Sequence, residues 1–137
     1  MTTSDATPAV TLTDEAKALL DTPEFATVAT IDPDGQPQLS VIWLGRDGDD
    51  VLFSTIKGRR KTLNLQRDPR ATVLIFPKDD PYKYLEIRGT VTLTDDPTAA
   101  YIDEMSHKYL GKDYPWHNPA EERIIVRVSP TNVVWHG

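Results

Sequence analysis

The segment Val51-Leu52-Phe53-Ser54-Thr55-Ile56-Lys57-Gly58-Arg59-Arg60-Lys61-Thr62 gathers the residues best suited to chemistry. Ser54 and Thr55 end an apolar run. A glycine-containing turn then carries Lys57 and Arg59, and Arg60, Lys61 and Thr62 open the next run. A strand end, a basic turn and a helix start in series offer backbone N–H groups, hydroxyls and several cations to one phosphate. Residues 51–67 hold five basic side chains and no acid. The whole chain carries −6, which leaves −11 on the remainder. A basic island on an acidic chain suggests one localised anion site. The same residues also suit a solvated charged loop, and spacing alone leaves both readings open.

Other reactive types are less suggestive. His107, His117 and His136 lie 10 and 19 residues apart, without the close spacing of metal ligands, so no metal site is expected. Ser40 and Ser54 sit in no G-x-S-x-G elbow. Asp79-Asp80 and Asp95-Asp96 each precede a proline and read as turn or cap residues. With no cysteine there is neither a disulfide framework nor a thiolate nucleophile. Tyr109, Tyr114 and Trp116 suit packing of a late loop, or a wall over a flat ring, supplied by this subunit or by a partner.

Composition narrows the classes further. Hydrophobic residues at 39% with 26% charged describe a globular chain of 137 residues, enough for one domain. The acidic balance argues against a nucleic-acid partner, including an oligonucleotide-binding barrel. Apolar runs such as Val73-Leu74-Ile75-Phe76 fall far short of a membrane span, and the first residues lack the pattern of a secretory signal. The expectation is a cytoplasmic protein with no membrane partner.

The elements that must position the basic segment follow from patterning. Residues 1–10 are unpatterned and expected to be flexible, ahead of a single domain over 11–137. Thr13, Asp14 and Glu15 mark the start of a short helix over 13–21. The runs 25–31, 38–44 and 51–55, separated by Asp32-Pro33-Asp34-Gly35 and Arg46-Asp47-Gly48-Asp49, predict an antiparallel meander. Residues 62–66 predict a short helix, and 71–76 a buried strand. Leu85, Ile87, Gly89, Val91 and Leu93 alternate with polar residues and predict a half-buried strand over 84–94. Asp96-Pro97 predicts a helix start with proline at the first helical position, and Gly111 its end. Ile124–Val128 and Asn132–Trp135 complete the pattern. The fold class expected is mainly β: a six- to seven-stranded antiparallel barrel with short peripheral helices.

Four pieces in order carry a family resemblance. They are Ala26-Thr27-Val28-Ala29-Thr30 with Asp34 to Ser40; Phe53-Ser54-Thr55 with Arg59-Arg60-Lys61-Thr62; Leu63 to Ala71; and Leu85 to Val91. Together they span about residues 13–136. The chain resembles the split β-barrel flavin-binding superfamily of pyridoxamine 5'-phosphate oxidase, in particular the branch that uses the deazaflavin coenzyme F420. The resemblance implies a homodimer with a cofactor groove between subunits. It matches Arg60 and Lys61 to the basic pair on the cofactor phosphate, with Arg59 and Thr62 beside it. Ser54, Thr55 and Ile56 match the strand end under the ribityl chain, and Gln38, Ser40 and Val41 the strand edge facing the ring. Lys57 and Arg59 suit the acidic tail of F420. The chain has no second basic cluster of the kind that holds substrate phosphate in pyridoxamine phosphate oxidases.

The implied activity is hydride transfer from reduced F420 to a planar conjugated small molecule. Such chemistry needs orientation and water exclusion rather than a protein nucleophile. FMN is the alternative cofactor, and a non-enzymatic F420 or FMN carrier the alternative role.

Overall fold

Thr13 opens the first helix as its sequence position predicts. Its hydroxyl accepts from the Ala16 amide at 3.2 Å, and Asp14 and Glu15 occupy the first turn of α1 (Asp14–Leu20). Ala16, Leu19 and Leu20 turn inward from α1 and join the core. The computed structural model describes residues 10–137, so the segment expected to be flexible lies almost wholly outside the described residues.

Seven strands form one sheet in which every pairing is antiparallel: β1 (Ala26–Ile31), β2 (Pro37–Ile42), β3 (Gly45–Asp47), β4 (Asp50–Ile56), β5 (Arg70–Ile75), β6 (Tyr84–Asp95) and β7 (Arg123–His136). Their order is β2-β1-β5-β6-β7-β4-β3. Helices α2 (Arg60–Arg67) and α3 (Ala100–Leu110) complete the split barrel. The predicted class, mainly β with short helices, is the observed one. Inward side chains line up across the strands: Val28 faces Val73 and Ile87, all fully buried. Farther along, Val91, Val128 and Val51 form a second such row. Each aliphatic side chain so buried contributes about 1.5–3 kcal/mol of gross transfer free energy.

The expected meander needs correction. β1 and β2 do form a hairpin, but β4 lies at the far side of the sheet, paired with β7. The run 38–44 does not continue as one strand: β2 ends at Ile42, and Gly45 starts β3, which pairs back onto β4. Buried Leu44 and Gly45 carry the chain across, and a Cβ at Gly45 would lie 2.4 Å from the Tyr101 hydroxyl. Pairing partners so distant in sequence leave no local trace in a hydrophobic pattern.

Two smaller corrections concern the second half. The separate runs at 124–128 and 132–135 are one 14-residue strand, β7, with an irregularity opposite Arg88 and Gly89. Gly89 pairs with Pro130 there, a position where the missing proline N–H is tolerated. Pro97 does not occupy the first helical position. Instead the Asp96 carboxylate reaches forward to accept from Ala100 and Tyr101 at 3.2 and 2.9 Å, and Ala99 adopts a left-handed conformation (φ 58°) to bring them there. Gly111 ends α3 at φ 74°, as predicted.

Candidate cofactor-binding site

The turn between β4 and α2 decides where the basic residues point. Gly58, at φ 91°, reverses the chain, and the Lys57 amide donates to the Glu122 carbonyl at 2.9 Å. Thr62 then reaches back: its hydroxyl donates to the Ile56 carbonyl at 2.8 Å and lies 3.0 Å from the Thr55 hydroxyl. These buried contacts clamp the first turn of α2 onto the end of β4.

A second set of bonds sets the rotation of α2. Arg60, Asn64 and Arg67 share one helix face by their spacing. Arg60 makes a bidentate ion pair with Asp32, and Asn64 donates to Asp32 and Thr30 at 2.9 and 3.1 Å. Arg67 bonds Asn64 and the Ile31 carbonyl. The hydrogen bond from Asn64, then that from Arg60, hold the Asp32 carboxyl below its ordinary range.

With that face engaged, the alternate residues Arg59 and Lys61 turn into a cavity of about 240 Å³. Ser54 joins them at its polar end. Ile42, Ile102 and Met105 form an apolar floor, Val41 stands at the edge, and Phe25, Trp43, Tyr114 and Trp116 supply aromatic walls. Burial lowers the Lys61 ammonium from its ordinary value, and the nearby charges of Arg59 and Arg123 lower it further. Among the described residues no carboxylate pairs with Lys61.

The aromatic wall is fixed from α3. Asp103 accepts from the Tyr114 amide at 2.9 Å and lies 2.8 Å from His117 Nε2. The Tyr114 amide bond, followed by the His117 contact, holds the Asp103 carboxyl below its usual range. Tyr114 meets Trp116 edge-on at 5.5 Å, and the Arg123 guanidinium lies over the Tyr114 ring at 5.0 Å. Tyr109 stands behind this wall. Its hydroxyl donates to the Glu24 carbonyl at 2.6 Å and accepts from the Leu44 amide at 2.9 Å, and its ring stacks on Trp43 at 5.2 Å. Of the late aromatics, Tyr109 packs behind the cavity, and Tyr114 and Trp116 line it.

The structure brings Val41, Ser54, Arg59 and Lys61 to one cavity and directs the other expected residues elsewhere. Arg60 faces Asp32 rather than the cavity, so Arg59 and Lys61 are the adjoining pair of cations there. Thr55, Ile56 and Thr62 are buried beneath. Gln38 accepts from Thr30 on the inner face of β2, and the Ser40 hydroxyl is buried there with no partner among the described residues. Lys57 stays on the exposed turn, 3.9 Å from Glu122. Sequence reasoning missed Phe25, Trp43 and Arg123. Arg123 reaches the site only because β7 pairs with β4, which sets it opposite Ile56. No cluster of three His, Asp or Glu suited to a metal occurs among the described residues, and no helix there is long and apolar enough to cross a membrane.

The family model for pyridoxamine 5'-phosphate oxidase matches residues 12–135, nearly the whole chain. The chain belongs to the pyridoxamine 5'-phosphate oxidase family. A pyridoxine/pyridoxamine 5'-phosphate oxidase of Cupriavidus necator is 37% identical over 92 residues, 65% of this chain and 43% of that oxidase. The chain thus spans less than half of that relative's length. The solved structure of an F420 reductase superposes with a TM-score of 0.80 at 32% identity, covering 90% of this chain and 98% of that one. A conserved hypothetical protein of Mycobacterium tuberculosis shares the fold, with a TM-score of 0.73 at 23% identity over 96% of this chain and 88% of that one. The reductase structure thus covers 90% of this chain, against 65% for the Cupriavidus necator oxidase.

Proposed function

We propose that this chain is an F420-dependent oxidoreductase, active as a homodimer, that passes a hydride from the reduced deazaflavin to a planar conjugated small molecule. The observation that carries the reading is the likeness to the F420 reductase, 32% identical and matched over 98% of that chain. The cavity supports it. Lys61, desolvated and without a carboxylate partner among the described residues, together with the Ser54 hydroxyl suits a phosphate, and Arg59 beside them suits an acidic tail. The reduced cofactor, when bound, supplies the hydride. The protein's part is to anchor the phosphate through Lys61, to meet the acidic tail with Arg59, to stack a flat ring against Tyr114 and Trp116, and to keep water from the apolar floor.

The dimer reading rests on the outer face of the sheet. Val41, Thr27, Leu74, Glu86 and Val134 form one cross-strand row. Val41 is 68% exposed and Leu39 62%, and Phe76 extends the patch. An exposed apolar sheet face of this kind fits an isologous interface with a second copy. That interface would run up to Val41, at the edge of the cavity.

FMN is the second reading of the cofactor, favoured by the family match itself and by the same phosphate-binding residues. A carrier without turnover is the alternative role. Mixing the protein anaerobically with reduced F420 and a panel of quinones, enones and tetrapyrroles tests the activity. Acceptor-dependent loss of the reduced cofactor is expected. Binding without any turnover across the panel would favour the carrier.

A further inference from the structure

The basic turn that carries Arg59 to the cavity already has carboxylates against it. The register of β4 and β7 sets Arg123 opposite Ile56, and the bond from the Lys57 amide to the Glu122 carbonyl (2.9 Å) fixes the segment before Arg123 beside the Lys57-Gly58-Arg59 turn. Consecutive Glu121 and Glu122 then serve two cations of that turn separately: Glu121 Oε2 is 3.8 Å from Arg59 Nη2, which lines the cavity, and Glu122 Oε2 is 3.9 Å from Lys57 Nζ, on the exposed side of the turn. Both pairs are long and solvent-exposed, the kind that contributes little to stability and exchanges readily. Lys61, deeper in the same cavity, has no such partner among the described residues.

We infer that Glu121 and Glu122 are internal competitors on the basic turn at the cavity mouth, resident carboxylates that a polycarboxylate segment of the ligand must displace from Arg59 and Lys57. They set how strongly the site favours ligands with an acidic tail over ligands that end at the phosphate. This rests on the deazaflavin reading, because a tail of linked glutamates presents the same group that Glu121 and Glu122 present. A phosphate held by Lys61 alone gains nothing from their removal. The effect therefore falls on the tail and spares the phosphate.

The test compares wild type with Glu121→Gln/Glu122→Gln, which keeps the side-chain shapes and the backbone bond to Lys57. Affinities are measured for F420 and for the same deazaflavin phosphate lacking its glutamates. The double variant is expected to bind F420 about 2- to 10-fold more tightly, as suits two exposed pairs, with the tailless ligand unchanged. An equal change for both ligands, or none for F420, overturns the inference. A γ-linked oligoglutamate peptide, followed by the Gly58 and Arg59 amide resonances, keeps the two readings apart. If neither protein binds either deazaflavin, the cofactor reading fails. The peptide then still decides: shifts at lower peptide concentration in the variant support the role of the two glutamates, and unperturbed amides in both proteins contradict it.

Discussion

Arg60 and Asp32 are joined by two parallel hydrogen bonds, Nε to Oδ1 at 2.9 Å and Nη2 to Oδ2 at 2.8 Å, across the gap between α2 and the β1–β2 turn. The pair draws one face of α2 toward β1, which leaves Arg59 and Lys61 on the cavity side. Two adjacent basic residues thus face apart: Arg60 ties down the helix, and Lys61 lines the cavity, where the proposed function gives it the anion.

That division predicts unequal mutants. Lys61→Ala removes a charged donor at the anion and should weaken binding of a phosphate-bearing cofactor by about 10- to 150-fold, or about 1.5–3 kcal/mol. Arg60→Ala should weaken it by less, chiefly through a looser α2. Asp32→Asn should resemble Arg60→Ala, since it breaks the same pair. Titrations of the three variants check this. A larger loss for Arg60→Ala than for Lys61→Ala would contradict the division.

Proton linkage offers a test of Lys61 that needs no mutation. Its folded-state value lies below the ordinary 10.5, so between the two values the folded protein binds fewer protons than the unfolded chain. In that window Lys61 makes the free protein more stable as pH rises. At lower pH the desolvated charge opposes folding. A bound anion favours the ammonium and reverses the trend. Anion affinity should therefore fall as pH climbs through the window, and binding there should take up a proton. Calorimetry in alkaline buffers of different ionisation enthalpy measures the uptake, and Lys61→Met should abolish it.

The outer sheet face makes a prediction about assembly. Leu74→Asp places a charge in the centre of the row from Val41 to Val134 without touching the core side of β5. Sedimentation should show a dimer for the wild type and a monomer for the variant, with cofactor affinity reduced alongside. A wild-type monomer at micromolar concentration would count against the shared groove.

Gly89 tests the irregularity between β6 and β7. A Cβ there would lie 2.4 Å from the Ser129 carbonyl oxygen and 2.8 Å from a Val128 methyl group. Backbone cannot give way as a flexible side chain can, so Gly89→Ala should destabilise by about 1–3 kcal/mol in chemical denaturation.

Much of this fold was legible in local patterns. Thr13 with its acidic neighbours, Gly111 after its helix, and the alternation from Leu85 to Leu93 each state their structure within a few residues. The basic turn stood out as a candidate anion site because its cations adjoin in sequence, and Arg59 and Lys61 do line one cavity. What stayed hidden depends on pairing at a distance. Nothing near Val51 announces that β4 lies beside β7, so Arg123 could not be placed against Ser54 and Tyr114, which line the cavity. Likewise Arg60 and Lys61 look equivalent as a string. They part only because Asp32, in a turn 28 residues earlier, claims one of them.

The most direct measurement is a fluorescence titration of the purified protein with F420 and with FMN, side by side. The proposed function predicts saturable F420 binding, tighter than FMN and lost on Lys61→Ala. Tight FMN binding with none for F420 would contradict it.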